Sequence, residues 1–168
     1  MKNVSSDQHH RRSIRLKNYD YSSPGAYFVT ISTYHKIDLF GAITGQRMSL
    51  NQFGNVVRSV WRNIPLHYPN IILDHFITMP NHIHGLIFIT DRADLKSAPT
   101  KKYPLSEIMR SFKAFSTREI NKMRNTPGSP VWQRNYYERV VRNNQELNAI
   151  REYIKTNIVH WSLDNEYF

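Results

Sequence analysis

Two apolar runs, 71–79 (IILDHFITM) and 82–90 (HIHGLIFIT), are separated only by Pro80 and Asn81. Runs rich in Ile and Phe, joined by turn-forming residues, predict a pair of antiparallel strands. Leu86, Ile87, Phe88 and Ile89 form an unbroken apolar stretch, which places the second strand in the core of a sheet. The other segments fall around this hairpin. Residues 27–34 (YFVTISTY) read as a strand, and 39–43 with 47–50, joined by Thr44-Gly45-Gln46, as a small hairpin. Phe53, Val56, Val57, Val60, Trp61 and Ile64 form a helical stripe over 51–64, which Pro65 and Pro69 end. After a polar loop at 91–103, Pro104 opens a second helix with Leu105, Ile108, Met109, Phe112, Phe115 and Met123 as its buried stripe. Residues 125–130 form a loop and 131–141 are mostly extended. Asn143 and Glu146 then cap a last helix running to about 158. The order strand, helix, strand, strand, helix, strand, helix predicts an α+β, ferredoxin-like antiparallel sheet with packed helices plus an added C-terminal helix. That plan serves many functions, so function must be argued from sites.

The chain has 168 residues, enough for one domain over 21–168 behind a flexible basic arm at 1–20. It has no cysteine, no apolar run near the ~20 residues of a membrane helix, and no apolar leader, so the expectation is a cytoplasmic protein. The formal net charge is +10, concentrated as +4 over 1–17 and +6 over 96–124, with the remainder balanced. Localised positive charge suggests a polyanion partner, most often nucleic acid. The plain alternative is a solubilising bias.

His82-Ile83-His84 is the sharpest chemical feature. Residues i and i+2 of a strand share a face, so two imidazoles can share one divalent cation. Taken alone the pair is common, and two surface histidines would explain it as well. Tyr153 lies beside the Leu147, Ile150, Ile154, Ile158 stripe of the last helix, with Asn157 one turn further on. Helix geometry by itself favours ordinary amphipathic packing for that tyrosine.

Three segments in this order, MPNHIHGLI (79–87), VWQRNYYERVVRN (131–143) and ELNAIREYIKTNIVHW (146–161), resemble the REP-associated tyrosine transposases. These are single-tyrosine relatives of the insertion-sequence 200/605 transposases, within the HUH endonucleases. The resemblance spans about residues 13–161. It implies that His82 and His84 hold a metal and that Tyr153 on the last helix is the nucleophile. It also implies that Asn157 stands where the wider family often has Gln as a third ligand. Tyr136 and Tyr137 compete for the nucleophile's role and are read as a pair near the site or DNA. The implied reaction is cleavage and transfer of single-stranded DNA, at hairpins of the repeated-palindrome kind, through a covalent phosphotyrosine. The implied cofactor is Mg²⁺ or Mn²⁺, with no membrane partner and a monomer or homodimer.

Trp132, Tyr136 and Tyr137 interleaved with Arg134, Arg139 and Arg142 could stack bases and hold phosphates, or could be one core face and one solvated face. Arg110, Lys113, Arg118 and Lys122 are read as phosphate contacts on the second helix. Two functions compete. One is the metal-dependent nuclease and strand transferase. The other is a non-catalytic ferredoxin-like module that grips nucleic acid on its sheet. The triple His82, His84 and Tyr153 separates them, because a binder has no need of it. A zinc hydrolase is disfavoured by the lack of a third strong ligand and a general-base Glu.

Overall fold

The computed structural model describes residues 19–91 and 103–161. Most of the expected basic arm and of the 91–103 loop therefore lies outside the described residues. Strands β1 (Gly25–Ser32), β4 (Ile71–Thr78), β5 (His82–Ile89) and β6 (Tyr137–Val141) form one sheet in the order β4-β5-β1-β6. Every pairing is antiparallel, which is the ferredoxin-like arrangement. Helices α1 (Gln52–Arg62) and α3 (Leu105–Met123) cover one face. Helix α4 (Asn144–Thr156) covers the other through Ile150 and Ile154.

Alternation along the strands divides the two layers. Tyr27, Val29, Ile31, Ile83 and Ile87 enter the larger core under α1 and α3. Ala26, Phe28 and Leu86 enter the smaller one under α4. Asn51 caps α1 by accepting from the Phe53 and Gly54 amides, and Asn143 caps α4 by accepting from the Glu146 amide, each satisfying helix donors that would otherwise be orphaned. The small hairpin is β2 (Gly41–Thr44) and β3 (Arg47–Leu50). Its two-residue turn has φ of 55° at Gly45 and 61° at Gln46, the doubly positive conformation that matches strand twist.

Several boundaries differ from expectation. Tyr34 leaves β1 for a 3-10 turn, Tyr34–Lys36. Helix α1 stops at Arg62, two residues short of the expected end, and Pro65 lies in the first turn of a short helix α2 (Ile64–His67), where an early helical position has no intrahelical N–H bond to lose. Of 131–141 only the last five residues form a strand. Trp132 instead bridges to Thr33 and is buried between Phe40 and Phe112, its Nε1 donating to Ser116 Oγ at 2.9 Å. That removes Trp132 from any base-stacking role. On α3, Phe115 and Met123 are exposed, and Ser116, Ile120 and Asn121 take the inward positions.

Gly85 has no side chain because the Trp61 ring fills its place. A Cβ there would lie 2.3 Å from Trp61 Cζ2 and Cη2. Gly85→Ala should cost ~1–3 kcal/mol through overpacking, read as a lower urea midpoint at unchanged slope. The cost should shrink in a Trp61→Leu background, and equal costs in both backgrounds would contradict the packing account.

Candidate active site

Strand β5 begins immediately after the Pro80-Asn81 turn, so His82 and His84 occupy its first and third positions. Both point to the α4 face. His82 and His84 are buried, the latter completely. Their Nε2 atoms approach to 2.9 Å. The other ring nitrogens are held from behind. Asn81 Oδ1 lies 2.8 Å from His82 Nδ1; it can only accept, so His82 carries its proton there and offers its Nε2 lone pair to the site. Thr30 Oγ1 lies 2.8 Å from His84 Nδ1, directly across the β1–β5 ladder. A threonine hydroxyl can donate or accept; where it accepts, His84 offers a second Nε2 lone pair at the same point. Such outer partners fix the tautomer and aim of ligating histidines.

Burial, and secondly the positive charge of Lys36, lower the His82 pKa to about 4. Burial, and secondly His82, push His84 well below its ordinary value. Both rings are therefore neutral at pH 7, the form that binds metals. Phe28 stacks on His84 at 5.6 Å and Trp161 on His82 at 5.7 Å, walling the pair with aromatic surface.

Helix α4 brings Tyr153 to this pair. Its hydroxyl lies 3.3 Å from His84 Nε2 of the same chain, and its ring meets those of His84 and Phe28 edge-on. Asn157, one turn on, is buried at the helix C-terminus with its Oδ1 shielded from solvent. A right-angle pair of ligands at ~2.1 Å from one octahedral cation stands ~3 Å apart, which the Nε2 separation fits. Among the described residues no third His, Cys, Asp or Glu joins the pair.

The remaining residues singled out from sequence are dispersed. Tyr137 joins the cluster beneath α4, close to Phe28, whereas Tyr136 packs against the opposite core. Arg110, Arg118 and Lys122 are exposed on α3, in the layer across the sheet from the histidines. Lys113 donates to the Gln133 and Arg134 carbonyls at 2.5 and 2.8 Å, which ties the 128–134 segment to α3. Arg134 and Arg142 are exposed at either end of β6. Thr30, Asn81, Phe28 and Trp161 were not singled out from sequence. Only Asn81, adjacent to the histidine pair, carried a local signal, while Thr30 depends on strand register.

Comparison with known proteins gives a consistent set of matches. The family described as "Transposase IS200 like" matches residues 46–157. An uncharacterized Haemophilus influenzae protein is 42% identical over 171 residues, covering 95% of this chain and 94% of its own. A second H. influenzae protein, provisionally named a REP-associated tyrosine transposase, is 26% identical over 86% of this chain and 77% of its own. In structure, a REP-associated tyrosine transposase bound to a REP hairpin superposes with a TM-score of 0.62, at 16% identity, over 86% of this chain and 72% of its own. A provisionally named transposase from Deinococcus radiodurans gives 0.51 at 14% identity, over 84% of this chain and 97% of its own. The two structures share the fold.

The buried pair also sets the response to acid. A histidine whose folded pKa lies below its unfolded value of 6.5 costs stability as pH falls, because the unfolded chain takes up the proton first. Unfolding free energy should therefore decline from about pH 6.5 towards the folded value near 4. A His82→Gln, His84→Gln variant should lose that part of the slope in pH-dependent urea melts. An unaltered slope would contradict neutral burial of the pair.

Proposed function

This chain belongs to the IS200-like transposase family, and on that footing we propose that it cuts and transfers single-stranded DNA with Tyr153 as its nucleophile. The observation carrying this reading is the convergence of Tyr153 Oη, His84 Nε2 and His82 Nε2, with successive separations of 3.3 and 2.9 Å. A module that only binds nucleic acid has no use for two neutral, buried imidazoles beside a phenol. In the proposed step the tyrosine oxygen bonds to phosphorus and gives up its proton. The bond from phosphorus to the 3′ oxygen breaks, and that oxygen takes a proton to leave as a 3′-hydroxyl. The phosphodiester is conserved as phosphotyrosine, so a second 3′-hydroxyl can reverse the exchange without ATP.

His82, His84 and Asn157 are the residues that would hold a divalent cation, Mg²⁺ or Mn²⁺. Such a cation neutralises a non-bridging phosphate oxygen and polarises phosphorus. Phe28 and Trp161 exclude water from the pair. Thr30 and Asn81 keep the imidazole lone pairs aimed inward. The REP hairpin bound by the structural relative supports hairpin DNA as the substrate class here. Arg134, next to Gln133 whose amide bonds Ser32 opposite His82, is the proposed phosphate contact near the site, and Arg142, at the other end of β6, would meet the strand farther along. The α3 cations Arg110, Arg118 and Lys122 would meet DNA farther away, with Lys113 holding the intervening segment.

Labelled single-stranded hairpin oligonucleotides with Mg²⁺ or Mn²⁺, resolved on a denaturing gel, test the reading. Wild-type protein should yield a shortened strand and a protein-linked one. Tyr153→Phe should abolish both while changing DNA affinity less than about threefold, since only one hydroxyl is lost. An adduct that survives Tyr153→Phe and disappears with Tyr136→Phe or Tyr137→Phe would move the nucleophile to β6 or the segment before it.

The third ligand is tested separately. Asn157→Ala should raise the manganese midpoint of the cleavage rate, with activity partly recovered at high metal, whereas His82→Ala or His84→Ala should eliminate cleavage. An unchanged midpoint in Asn157→Ala would remove that residue from the metal shell and leave the histidines in it.

A further inference from the structure

Strand β4 is an edge strand with an interruption in its ladder. Leu73 pairs with Ile87 and Phe76 with Gly85, so Asp74 and His75 together stand opposite the single residue Leu86. A bulge of this kind bends the strand and re-aims its side chains. It lets Leu73 and Phe76, three apart, both reach the α1 and α3 core, where Phe76 stacks on Trp61. It also leaves a carboxylate, Asp74, largely buried, with a side chain 12% exposed.

The partner of Asp74 is on α4. Arg151 Nη2 and Nε donate to Asp74 Oδ2 at 2.5 and 3.1 Å, while His75 Nδ1 meets the other oxygen. Burial raises the Asp74 pKa, but hydrogen bonds from Arg151 and His75 outweigh it and hold the carboxyl below its ordinary value. Arg151 and Tyr153 are two residues apart, so they leave α4 on opposite flanks of the Ile150, Ile154 stripe. One flank is anchored to β4. The other reaches His84 on β5.

Apolar contact is non-directional and fixes the roll of a helix poorly. A forked arginine–carboxylate contact is directional. A phenol oxygen roughly 8 Å from the helix axis moves about 1.4 Å for a 10° roll, and a misplacement of about 1 Å can cost about a hundredfold in rate. We propose that the Asp74–Arg151 pair is a positioning latch that sets the roll of α4 and thereby holds the Tyr153 oxygen on the histidine pair of its own chain. The inference rests on Tyr153 being the nucleophile, but its physical core, helix docking, is measurable without any reaction.

The test combines hydrogen exchange of α4 amides with single-turnover adduct formation at saturating hairpin oligonucleotide, in full-length protein. Asp74→Asn and Arg151→Gln should each speed exchange over 150–156 by about tenfold or more and slow adduct formation by about 10- to 100-fold. The Kd for the same oligonucleotide should stay within about threefold. The double variant should be no worse than Asp74→Asn alone, since the Arg151 contact is then already lost. Arg151→Lys keeps the charge without the fork and should show a smaller loss of the same kind, so it decides the matter if the glutamine variant does not fold. Unchanged α4 exchange, or faster exchange with a wild-type rate, or losses that multiply in the double variant, would each overturn the latch. Should wild-type protein form no adduct, the reading of Tyr153 fails on its own account and exchange alone decides whether the pair holds the helix.

Discussion

The β1–β5 ladder, with Thr30 opposite His84, is the pairing on which the rest of the molecule depends. Its register sends His82, His84 and Leu86 to the α4 face and Ile83, Gly85 and Ile87 to the α1 and α3 face. A slip of one residue would drive both imidazoles into the large core and turn isoleucines towards α4. Two apolar layers of different size enforce the register from either side. The close fit of Trp61 over Gly85 makes it stricter still. One strand thus carries part of the large apolar core on one face and the buried histidine pair on the other.

Burying two imidazoles is costly unless their polar atoms are satisfied. Thr30 and Asn81 meet the outer nitrogens, and the inner ones converge. Neutral rings and aromatic walls leave an electron-rich point in a setting of low polarity, where a cation or a developing negative charge interacts strongly. The tyrosine arrives from a separate element, α4, which rests on a small apolar cluster and is tied to the sheet by the Arg151–Asp74 contact. The proposed metal ligands thus sit on the sheet, and the proposed nucleophile on a helix docked against it.

Periodicity and turn residues made the order of elements readable, because strands and helices here obey simple alternation and capping rules. The i, i+2 spacing of His82 and His84 survives any strand geometry, so that pair was legible. Tyr153 was placed correctly at the edge of the α4 stripe, yet sequence alone could not bring it to His84. The structure does so through tertiary docking. What stayed hidden depends on register or on long-range pairing. Thr30 is recognisable only once it lies across from His84. Asp74 carries no signal in the sequence, because its contact with Arg151 depends on the β4 bulge and on how α4 docks. Trp132 read equally well as a base-stacking residue, and only its burial against Phe112 decides for the core. Charge clustering located cations on α3 but could not reveal that α3 packs on the far side of the sheet.

The central claim is that the phenol on α4, and no other, becomes linked to DNA. Trypsin separates the rivals cleanly, because Tyr153 lies in the peptide spanning 152–155 and Tyr136 with Tyr137 in that spanning 135–139. Wild-type protein reacted with hairpin DNA, digested with nuclease and trypsin, and analysed by mass spectrometry should carry a nucleotide on the 152–155 peptide alone. A nucleotide on the 135–139 peptide, or on neither after demonstrable strand cleavage, would contradict the account.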